Sequence, residues 1–406
     1  MYPKKTFLSL LASLFCIGPV RAPAESWPCF RGPNHDGVSQ EDTWSHQWPE
    51  SGPTVRWKTN VGTGYSSIVV QDGKLLTIGN EDNVDTVYCL DASTGKEVWS
   101  HDYSCPTDPN EFEGGPTSTP TFFGDEAFTL SRMGDLFCFD ASDGSVKWSL
   151  NVATTANVRV PGWGFSGAPW VTDRLVVVNV GDAGVGIDRK TGEILWASED
   201  KDSGYSSFVP TFVDGSPALV FGSARSYVCI RPDTGEEVWR QRWLTTFGCN
   251  AADPIVEGER ILLSSGYNRG SALLSVSGES PEVVWKHKDF QNQLQSSVKR
   301  GQFVYGANGD VDQGAKLTCM NFDSGEIMWS SPMRVGGILA AGDRLIVLSD
   351  SGLLSVLDAS SERPIVLAQH QVLEAQCWTS PVLCDGSLYC RSSDGQLVCL
   401  DLRSKK

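Results

Sequence analysis

CLDASTGKEVW, residues Cys89 to Trp99, is one of five related phrases that recur along the chain. The other four are CFDASDGSVKW (138–148), GIDRKTGEILW (186–196), CIRPDTGEEVW (229–239) and CMNFDSGEIMW (319–329). Each phrase combines a mostly apolar start, a turn that contains glycine and a terminal tryptophan. A phrase that returns at a nearly constant interval indicates one supersecondary unit, copied and packed side by side.

The interval can be counted from the tryptophans. Trp57, Trp99, Trp148, Trp196, Trp239, Trp285 and Trp329 are separated by 42, 49, 48, 43, 46 and 44 residues. A degenerate eighth copy, residues 358–367, has Leu367 in place of the tryptophan. Tight-turn pairs of the kind that join β-hairpins lie between the copies, at 72–73, 124–125, 173–174, 214–215, 257–258, 300–301, 342–343 and 385–386.

Each unit is predicted to contain four short strands. In the first unit they are expected at 66–70, 74–79, 86–91 and 96–101, where strand-forming residues alternate with polar ones. Four-stranded units of about 40–45 residues are the blades of β-propellers, which have about 4 to 8 blades. We therefore predict an all-β, eight-bladed β-propeller of four-stranded antiparallel blades.

The ends of the repeat region predict how the ring closes. Residues 55–58 form a tryptophan-bearing outer strand that has no blade before it. Residues 397–401 match the start of the phrase, and no tryptophan-bearing strand follows them. Pairing of the N-terminal strand with the last blade would complete that blade and remove an exposed sheet edge.

The repeat tryptophans are expected to be structural. A large ring at the same position of every unit favours packing against the neighbouring blade over a ladder for stacking ligands. The glycine four residues before the tryptophan marks a position that requires an unusual φ angle or a close approach. It occurs at Gly95, Gly144, Gly192, Gly235 and Gly325.

The pattern D-x-x-T-G-x-x-x-W resembles the tryptophan-docking repeat of PQQ-like (pyrroloquinoline quinone) β-propellers, exported bacterial type. The resemblance extends from about Thr54 to the C-terminus, and residues 27–37 (WPCFRGPNHDG) are similar to the head segment of exported members. It implies a propeller fold. It also implies a choice of functions, because the superfamily includes quinoprotein dehydrogenases and non-catalytic scaffolds of outer-membrane assembly.

The first residues predict export. Lys4 and Lys5 precede an apolar stretch, and Ala22-Pro23-Ala24 provides a cleavage site, so residues 1–24 are expected to be a signal peptide. Residues 25–53 then form an N-terminal arm and residues 54–406 the propeller domain. Lipid anchoring at Cys16 is disfavoured because bulky Phe15 precedes it, and no segment is long enough for a membrane span. The location would be periplasmic or extracellular.

The net charge argues against one class of partner, and the cysteine content raises the question of disulfides. Loss of Lys4, Lys5 and Arg21 with the leader would move the formal net charge from −16 to −19, which argues against nucleic acid as a partner. Twelve cysteines in an exported chain suggest disulfides. Those within the repeat are expected to be small core residues. The better bridge candidates, with their pairing left open, are Cys29, Cys105, Cys249, Cys377, Cys384 and Cys390.

Alignment of the units predicts a binding rim at one end of the channel. The loops that enter the innermost strands would bring aromatic and amide groups together there, as suits a planar or extended ligand. The alternative is that these residues fill the channel. The candidates are Tyr65, Trp163, Phe165, Tyr205, Phe247, Asn250, Gln295, Arg334 and Trp378.

Signals for metal sites and catalysis are sparse. Asn308, Asp310 and Asp312 alternate as in calcium loops, but the distal glutamate is missing. The histidines are scattered, and no adjacent cysteine pair of the quinoprotein type occurs. We therefore favour a non-catalytic scaffold that binds an exported or envelope protein, a peptide or a glycan. The alternative is a PQQ- and calcium-dependent alcohol or sugar dehydrogenase. The oligomeric state stays open.

Overall fold

The computed structural model describes residues 26–108, 114–277 and 280–404, which form a ring of eight β-sheets. Blades 1 to 8 are numbered in chain order, and each has four antiparallel strands. The predicted eight-bladed β-propeller is therefore confirmed. Blade 1 consists of Val69–Gln71, Lys74–Glu81, Val84–Asp91 and Glu97–Ser104, and blade 2 of Thr121–Phe123, Glu126–Leu130, Asp135–Asp140 and Val146–Asn151. Blade 3 consists of Trp170–Val171, Leu175–Val178, Val185–Asp188 and Ile194–Ala197, and blade 4 of Val209–Val213, Ser216–Gly222, Ser226–Ile230 and Glu237–Arg242.

The remaining blades repeat this plan, with the strands ordered from the channel outward. Blade 5 consists of Ile255–Glu257, Arg260–Ser265, Gly270–Ser275 and Glu282–His287, and blade 6 of Val298–Arg300, Phe303–Asn308, Lys316–Asn321 and Ile327–Arg334. Blade 7 consists of Gly337–Ala341, Arg344–Leu348, Leu353–Asp358 and Ile365–Gln371, and blade 8 of Val382–Cys384, Ser387–Arg391, Gln396–Asp401 and Thr54–Asn60. Three short helical turns lie in connections, at Val152–Thr155, Thr246–Gly248 and Val311–Gln313.

Position within a blade determines the hydrophobic pattern of each strand. The second strand of blade 3, Leu175–Val178, is buried on both faces because it packs between two neighbouring blades. The outer strand of blade 1, Glu97–Ser104, buries only Trp99 and leaves most other residues partly or fully exposed. Apolar runs therefore mark the inner strands, and alternating residues mark the outer ones.

The ring closes as the sequence predicts. Thr54–Asn60 pairs antiparallel with Gln396–Asp401 and forms the outer strand of blade 8, with Trp57 opposite Cys399. The first and last parts of the propeller thus share one sheet. This arrangement pairs the outer edge of the third strand in the last blade, which would otherwise be open.

Part of the N-terminal arm lies inside the ring. Trp27 forms reciprocal backbone hydrogen bonds with Val70 in the innermost strand of blade 1 (2.8 Å each). Val38–Ser39 pairs parallel with Gly337–Ala341, the innermost strand of blade 7. Both pairings lie next to the hairpins that join the first and second strands. We call the end of the ring with these hairpins the bottom face, and residues 26–41 the plug, because they enter and leave the channel at that face.

The repeat tryptophans link neighbouring blades. Six of the seven donate an indole N–H hydrogen bond of 2.7 to 3.2 Å to a carbonyl in the turn of the next blade. Trp99, for example, donates to Ala141. The exception is Trp239, whose buried indole nitrogen has no partner among the described residues. Residues 278–279 in the facing blade lie outside the described ranges. These bonds, together with the buried ring faces, hold the blades in register.

We expect Gly144→Ala to lower the free energy of unfolding by about 2–4 kcal/mol. Gly144 has φ 74°, and a Cβ atom there would lie 2.6 Å from ring atoms of Trp99. The matched control is Gly124→Ala, at φ 60° with no atom within 4 Å of the added Cβ. That control isolates the backbone cost of about 1–2 kcal/mol. Urea unfolding of both variants measures the difference, and equal losses would contradict the packing role.

At blade 7, which lacks the repeat tryptophan, a tryptophan of the arm packs nearby. Leu367 occupies the repeat position, and Leu367 and Trp48 both pack against the same buried cluster. Residues 46–50 and 367–369 border one shallow surface depression. The arm beyond the plug therefore covers the outer part of the blade at which the repeat is weakest.

The cysteines do not form the predicted bridges. All eleven cysteines in the described ranges are buried and lie outside any disulfide, including the six bridge candidates. Burial raises the pKa of Cys29 to about 12, which keeps this thiol protonated at neutral pH. Cys29, Cys105, Cys249, Cys377, Cys384 and Cys390 thus serve as small core residues. The predicted leader, with Cys16, lies outside the described residues. No helix in the described ranges is long and apolar enough to cross a membrane.

Candidate binding funnel

A cavity of about 880 Å³ opens at the end of the channel opposite the hairpins, which we call the top face. The loops that lead into the innermost strands form most of its wall, and loops between the second and third strands of two blades add Tyr267 and Asp312. Phe30 of the plug also contributes to the lining. The plug occupies the channel below, so the cavity is a funnel rather than a through pore. Its lining is aromatic and polar: Phe30, Tyr65, Ser67, Asp108, Gly114, Gly115, Thr117, Thr119, Gly162, Trp163, Ser166, Tyr205, Ser207, Phe247, Cys249, Ala251, Asp253, Tyr267, Gln293, Leu294, Gln295, Ser296, Val311, Asp312, Trp378, Thr379 and Ser380.

Two aromatic surfaces stand on opposite sides of the funnel. Over blades 3 to 5, Trp163 makes edge-to-face contacts with Tyr205 and Phe247, with ring centroids 5.8 Å apart in each case. Phe247 continues the series with Tyr267, also at 5.8 Å. Where blades 8 and 1 meet, Tyr65 stacks on Trp378 with centroids 5.7 Å apart. These contacts hold flat apolar surfaces in place around the cavity mouth.

Phe247 combines exposure with backbone strain. Its side chain is 71% exposed, and its φ of 61° places a bulky residue in the left-handed region. That conformation costs a non-glycine residue about 1–2 kcal/mol. Strained residues of this kind concentrate at binding and catalytic sites. The short turn Thr246–Gly248 therefore presents an aromatic ring to the funnel at an energetic cost to the fold.

We expect Phe247→Gly to be more stable than Phe247→Ala by about 1 kcal/mol, because glycine relieves the left-handed strain while both variants remove the ring. The control site is Phe212, which is 70% exposed and lies in the extended strand Val209–Val213 near the bottom face. There Ala should be more stable than Gly by about 0.5–1 kcal/mol. Thermal or urea unfolding of the four variants tests this reversal, and the same order at both sites would refute the strain.

A buried ion pair lies beneath the funnel. The Nε of Arg31 in the plug is 3.7 Å from a carboxylate oxygen of Asp253, and both side chains are buried. Arg31 also donates hydrogen bonds to the carbonyls of Ser297 (2.7 Å) and Asp36 (2.8 Å). The other carboxylate oxygen of Asp253 accepts a bond of 2.8 Å from the Ser207 amide. Desolvation raises the pKa of Asp253 to about 6, and the charge of Arg31 partly opposes that rise.

A second acid in the lining is also paired. Asp108 forms an ion pair with Arg132 at 3.1 Å, and both side chains are largely buried. Arg132 donates a further hydrogen bond to the carbonyl of Pro106. Two of the three carboxylates that line the described part of the funnel therefore have a guanidinium partner, and the third is Asp312.

Gln295 differs from the other polar groups of the lining. It is 5% exposed, and neither the oxygen nor the nitrogen of its carboxamide has a hydrogen-bond partner among the described residues. A buried polar group without a partner costs about 1–3 kcal/mol. Because surrounding protein atoms cover both of these atoms, the carboxamide lies behind the accessible wall of the funnel.

The structure brings six of the nine predicted rim residues into this lining: Tyr65, Trp163, Tyr205, Phe247, Gln295 and Trp378. The other three lie elsewhere. Phe165 is fully buried in the core between blades 2 and 3. The buried amide of Asn250 donates to the carbonyls of Ser223 and Trp243. Arg334 forms an ion pair of 2.6 Å with Asp350.

Two aromatic residues of the lining, and the carboxylates of Asp108 and Asp253, were not among the predicted rim residues. Phe30 belongs to the N-terminal head segment, whose position inside the channel no repeat pattern indicates. Tyr267 lies in the loop between the second and third strands of blade 5, whereas the alignment considered the loops that enter the innermost strands. The aromatic side chain of Tyr267 at the tip of this loop was the sequence feature that could have indicated a rim residue.

Two of the three side chains of the predicted calcium loop accept hydrogen bonds from backbone amides. The side-chain oxygen of Asn308 accepts from the Gln291 amide (3.0 Å), and a carboxylate oxygen of Asp310 accepts from the Tyr267 amide (2.8 Å). Asp312 lies in the short turn Val311–Gln313. Within the ranges that the structure describes, no group of three or more His, Cys, Asp or Glu residues is arranged to hold a metal ion.

Comparison with known proteins now assigns the family. The PQQ_2 family profile, described as "Outer membrane protein assembly factor BamB", matches residues 41–109, 85–331 and 313–405. The chain belongs to this family. A BamB-named relative from Yersinia pestis is 22% identical over 377 residues, which cover 84% of this chain and 87% of the relative. The recognition of a PQQ-like propeller from the repeat is confirmed.

Solved structures show the same fold in proteins of two kinds. BamB from Moraxella catarrhalis superposes with a TM-score of 0.60 at 14% identity, covering 86% of this chain and 99% of that one. Quinohemoprotein alcohol dehydrogenase from Comamonas testosteroni superposes with a TM-score of 0.69 at 14% identity, covering 95% and 82%. At these identities the likeness concerns the fold alone, and the site has to decide the function.

The site of this BamB-family chain does not fit PQQ. The cofactor is a planar quinone that carries three carboxylates, so its site needs cationic groups. The charged residues in the described part of the funnel lining are Asp108, Asp253 and Asp312, with no lysine or arginine among them. A metal-binding cluster is also absent from the described residues. We therefore derive no reaction step through PQQ or calcium.

Proposed function

We propose that the chain is an exported, non-catalytic binding module of the cell envelope that holds its partner in the top-face funnel. The observation that carries this proposal is the pair of aromatic surfaces around a funnel that the plug closes from below. The name of the family, outer membrane protein assembly factor, supports a scaffold role in the envelope. Candidate partners are an envelope protein, a peptide or a glycan.

The chemistry of the lining supports binding over catalysis. No histidine lines the described part of the funnel, so an imidazole base is absent there. The thiol in the lining belongs to Cys249, and burial raises its pKa to about 11. A protonated thiol without a neighbouring base is a poor nucleophile.

Photo-crosslinking in the cells that make the protein tests the proposal. A benzophenone amino acid at position 247 should form a discrete adduct, because it inserts into C–H bonds of any partner in the funnel. The same amino acid at position 212, which matches it in exposure and lies near the bottom face, should not form that adduct. Equal labelling from both positions, or none from position 247, would refute the funnel as the binding site.

We expect titration of the purified protein with PQQ and calcium to give no saturable change in tryptophan fluorescence. The physical reason is that the charged side chains in the described lining are all carboxylates, which repel a tricarboxylate. Trp163 and Trp378 lie in the funnel and would report an occupant. Saturable quenching at micromolar concentration would contradict this prediction and favour the quinoprotein dehydrogenase alternative.

A further inference from the structure

We propose that the ligand of the funnel is a neutral oligosaccharide. This inference rests on the proposed function, in which the funnel is the binding site, and specifies the chemistry of its occupant. The charge, the shape and the hydroxyl groups of the lining each restrict that chemistry.

The charges of the lining disfavour ionic ligands. An anion would meet Asp108, Asp253 and Asp312 with no cationic side chain in the described lining. A cation would find two of these carboxylates already compensated, Asp108 by Arg132 and Asp253 by Arg31. Competition with these buried guanidinium groups would remove most of the gain from a new ion pair. A ligand without net charge avoids both costs.

The aromatic surfaces suit the flat faces of sugar rings. Trp163 and Phe247 stand over blades 3 to 5, across the ring from the Tyr65–Trp378 stack, where blades 8 and 1 meet. The apolar C–H face of a pyranose ring packs on an aromatic ring while its hydroxyls point sideways. A chain of several sugars can therefore contact both surfaces at once, and the cavity of about 880 Å³ is within the size range of ligand pockets.

The polar groups between the aromatic surfaces suit hydroxyls and oppose purely apolar ligands. Hydroxyl side chains of Thr117, Ser166 and Thr379 contribute to the lining. The hydroxyls of Thr117 and Ser166 lie 2.7 Å apart, and the hydroxyl of Thr379 makes a long contact of 3.4 Å to the Tyr65 carbonyl. A sugar hydroxyl can both donate to and accept from such groups. An acyl chain would cover these hydroxyls without offering them a partner, at the cost that buried polar groups carry.

Binding of neutral hexasaccharides tests this inference. Maltohexaose, cellohexaose, laminarihexaose and chitohexaose would be titrated into the purified full-length mature chain, by calorimetry and by tryptophan fluorescence. We expect at least one to bind, and we expect Phe247→Ala and Trp378→Ala each to weaken that binding by tenfold or more. The matched control is Phe212→Ala, which removes an equally exposed ring near the bottom face and should leave the affinity unchanged.

The outcomes separate this inference from the proposed function. Absence of binding for all four probes would overturn the oligosaccharide, and so would an affinity that Phe247→Ala and Phe212→Ala change equally. A protease-sensitive adduct from the benzophenone at position 247 would then identify a protein or peptide partner, and the proposed function would stand. A protease-resistant, periodate-sensitive adduct would support the oligosaccharide independently. Because Phe247 and Phe212 are both largely exposed, their variants should fold, and thermal unfolding verifies this.

Discussion

Deletion of residues 26–60 is expected to abolish cooperative unfolding. The deleted segment contains the plug and the strand Thr54–Asn60, which pairs along its length with Gln396–Asp401. Without that strand, blade 8 has three strands and the ring loses the connection between its first and last repeats. The buried cluster around Trp57 and Tyr389 would be exposed at the same time. Calorimetry and circular dichroism should show a broad, weak transition and association through the open edge.

The matched control is deletion of residues 26–53 alone. This variant loses the plug but keeps Thr54–Asn60, so the ring remains closed by the same hydrogen bonds. We expect a cooperative transition at a lower temperature than in the parent protein. If the longer deletion unfolds like the shorter one, strand pairing is not what holds the ring together.

The second large effect is expected from Arg31→Met, which removes one partner of the buried ion pair under the funnel. Loss of one charge from a buried pair leaves the other uncompensated and costs about 3–5 kcal/mol. The variant should lose that amount in urea unfolding at pH 8. The control is Arg174→Met, which breaks the exposed pair with Asp233 (3.4 Å) and should cost less than about 1 kcal/mol.

The loss of unfolding free energy caused by Arg31→Met should depend on pH. Asp253 has a pKa of about 6 in the fold, above its usual value, because desolvation outweighs the attraction of Arg31. Its contribution to stability is therefore full at pH values below the unfolded pKa of about 3.9 and declines as pH rises through about 6. Without Arg31 its pKa rises further, and the penalty for an ionised Asp253 continues to grow at higher pH. The difference from the parent should be larger at pH 8 than at pH 5, and a constant difference would contradict the pairing.

The local features of the fold could be predicted because each depends on a short stretch of sequence. A strand pairs with the next strand in the chain, and the same turn and tryptophan recur in each repeat, so the blades and their number follow from counting. The tryptophan at the end of one repeat contacts the turn of the next, as Trp99 does at Ala141. The closing strand could be identified because Trp57 had no blade before it.

The rim was predicted less completely because neighbouring residues in a loop can point in opposite directions. Trp163 and Phe165 are two residues apart, yet one borders the funnel and the other is buried between blades. Arg334 precedes an innermost strand as the alignment assumed, but Asp350 from a neighbouring loop binds it. The cysteine candidates failed for a similar reason, since separation in space and burial determine pairing and spacing in sequence does not.

By itself, the sequence determined the propeller, the eight blades, their tryptophan contacts and the closing strand, because the hydrogen bonds and packing of a repeat are set largely within it and its neighbour. Only the tertiary structure placed the plug in the channel, joined Arg31 to Asp253 and set the strained Phe247 beside Trp163. These groups are remote in sequence and carry no shared pattern. Their proximity arises only when the blades and the arm pack around one axis.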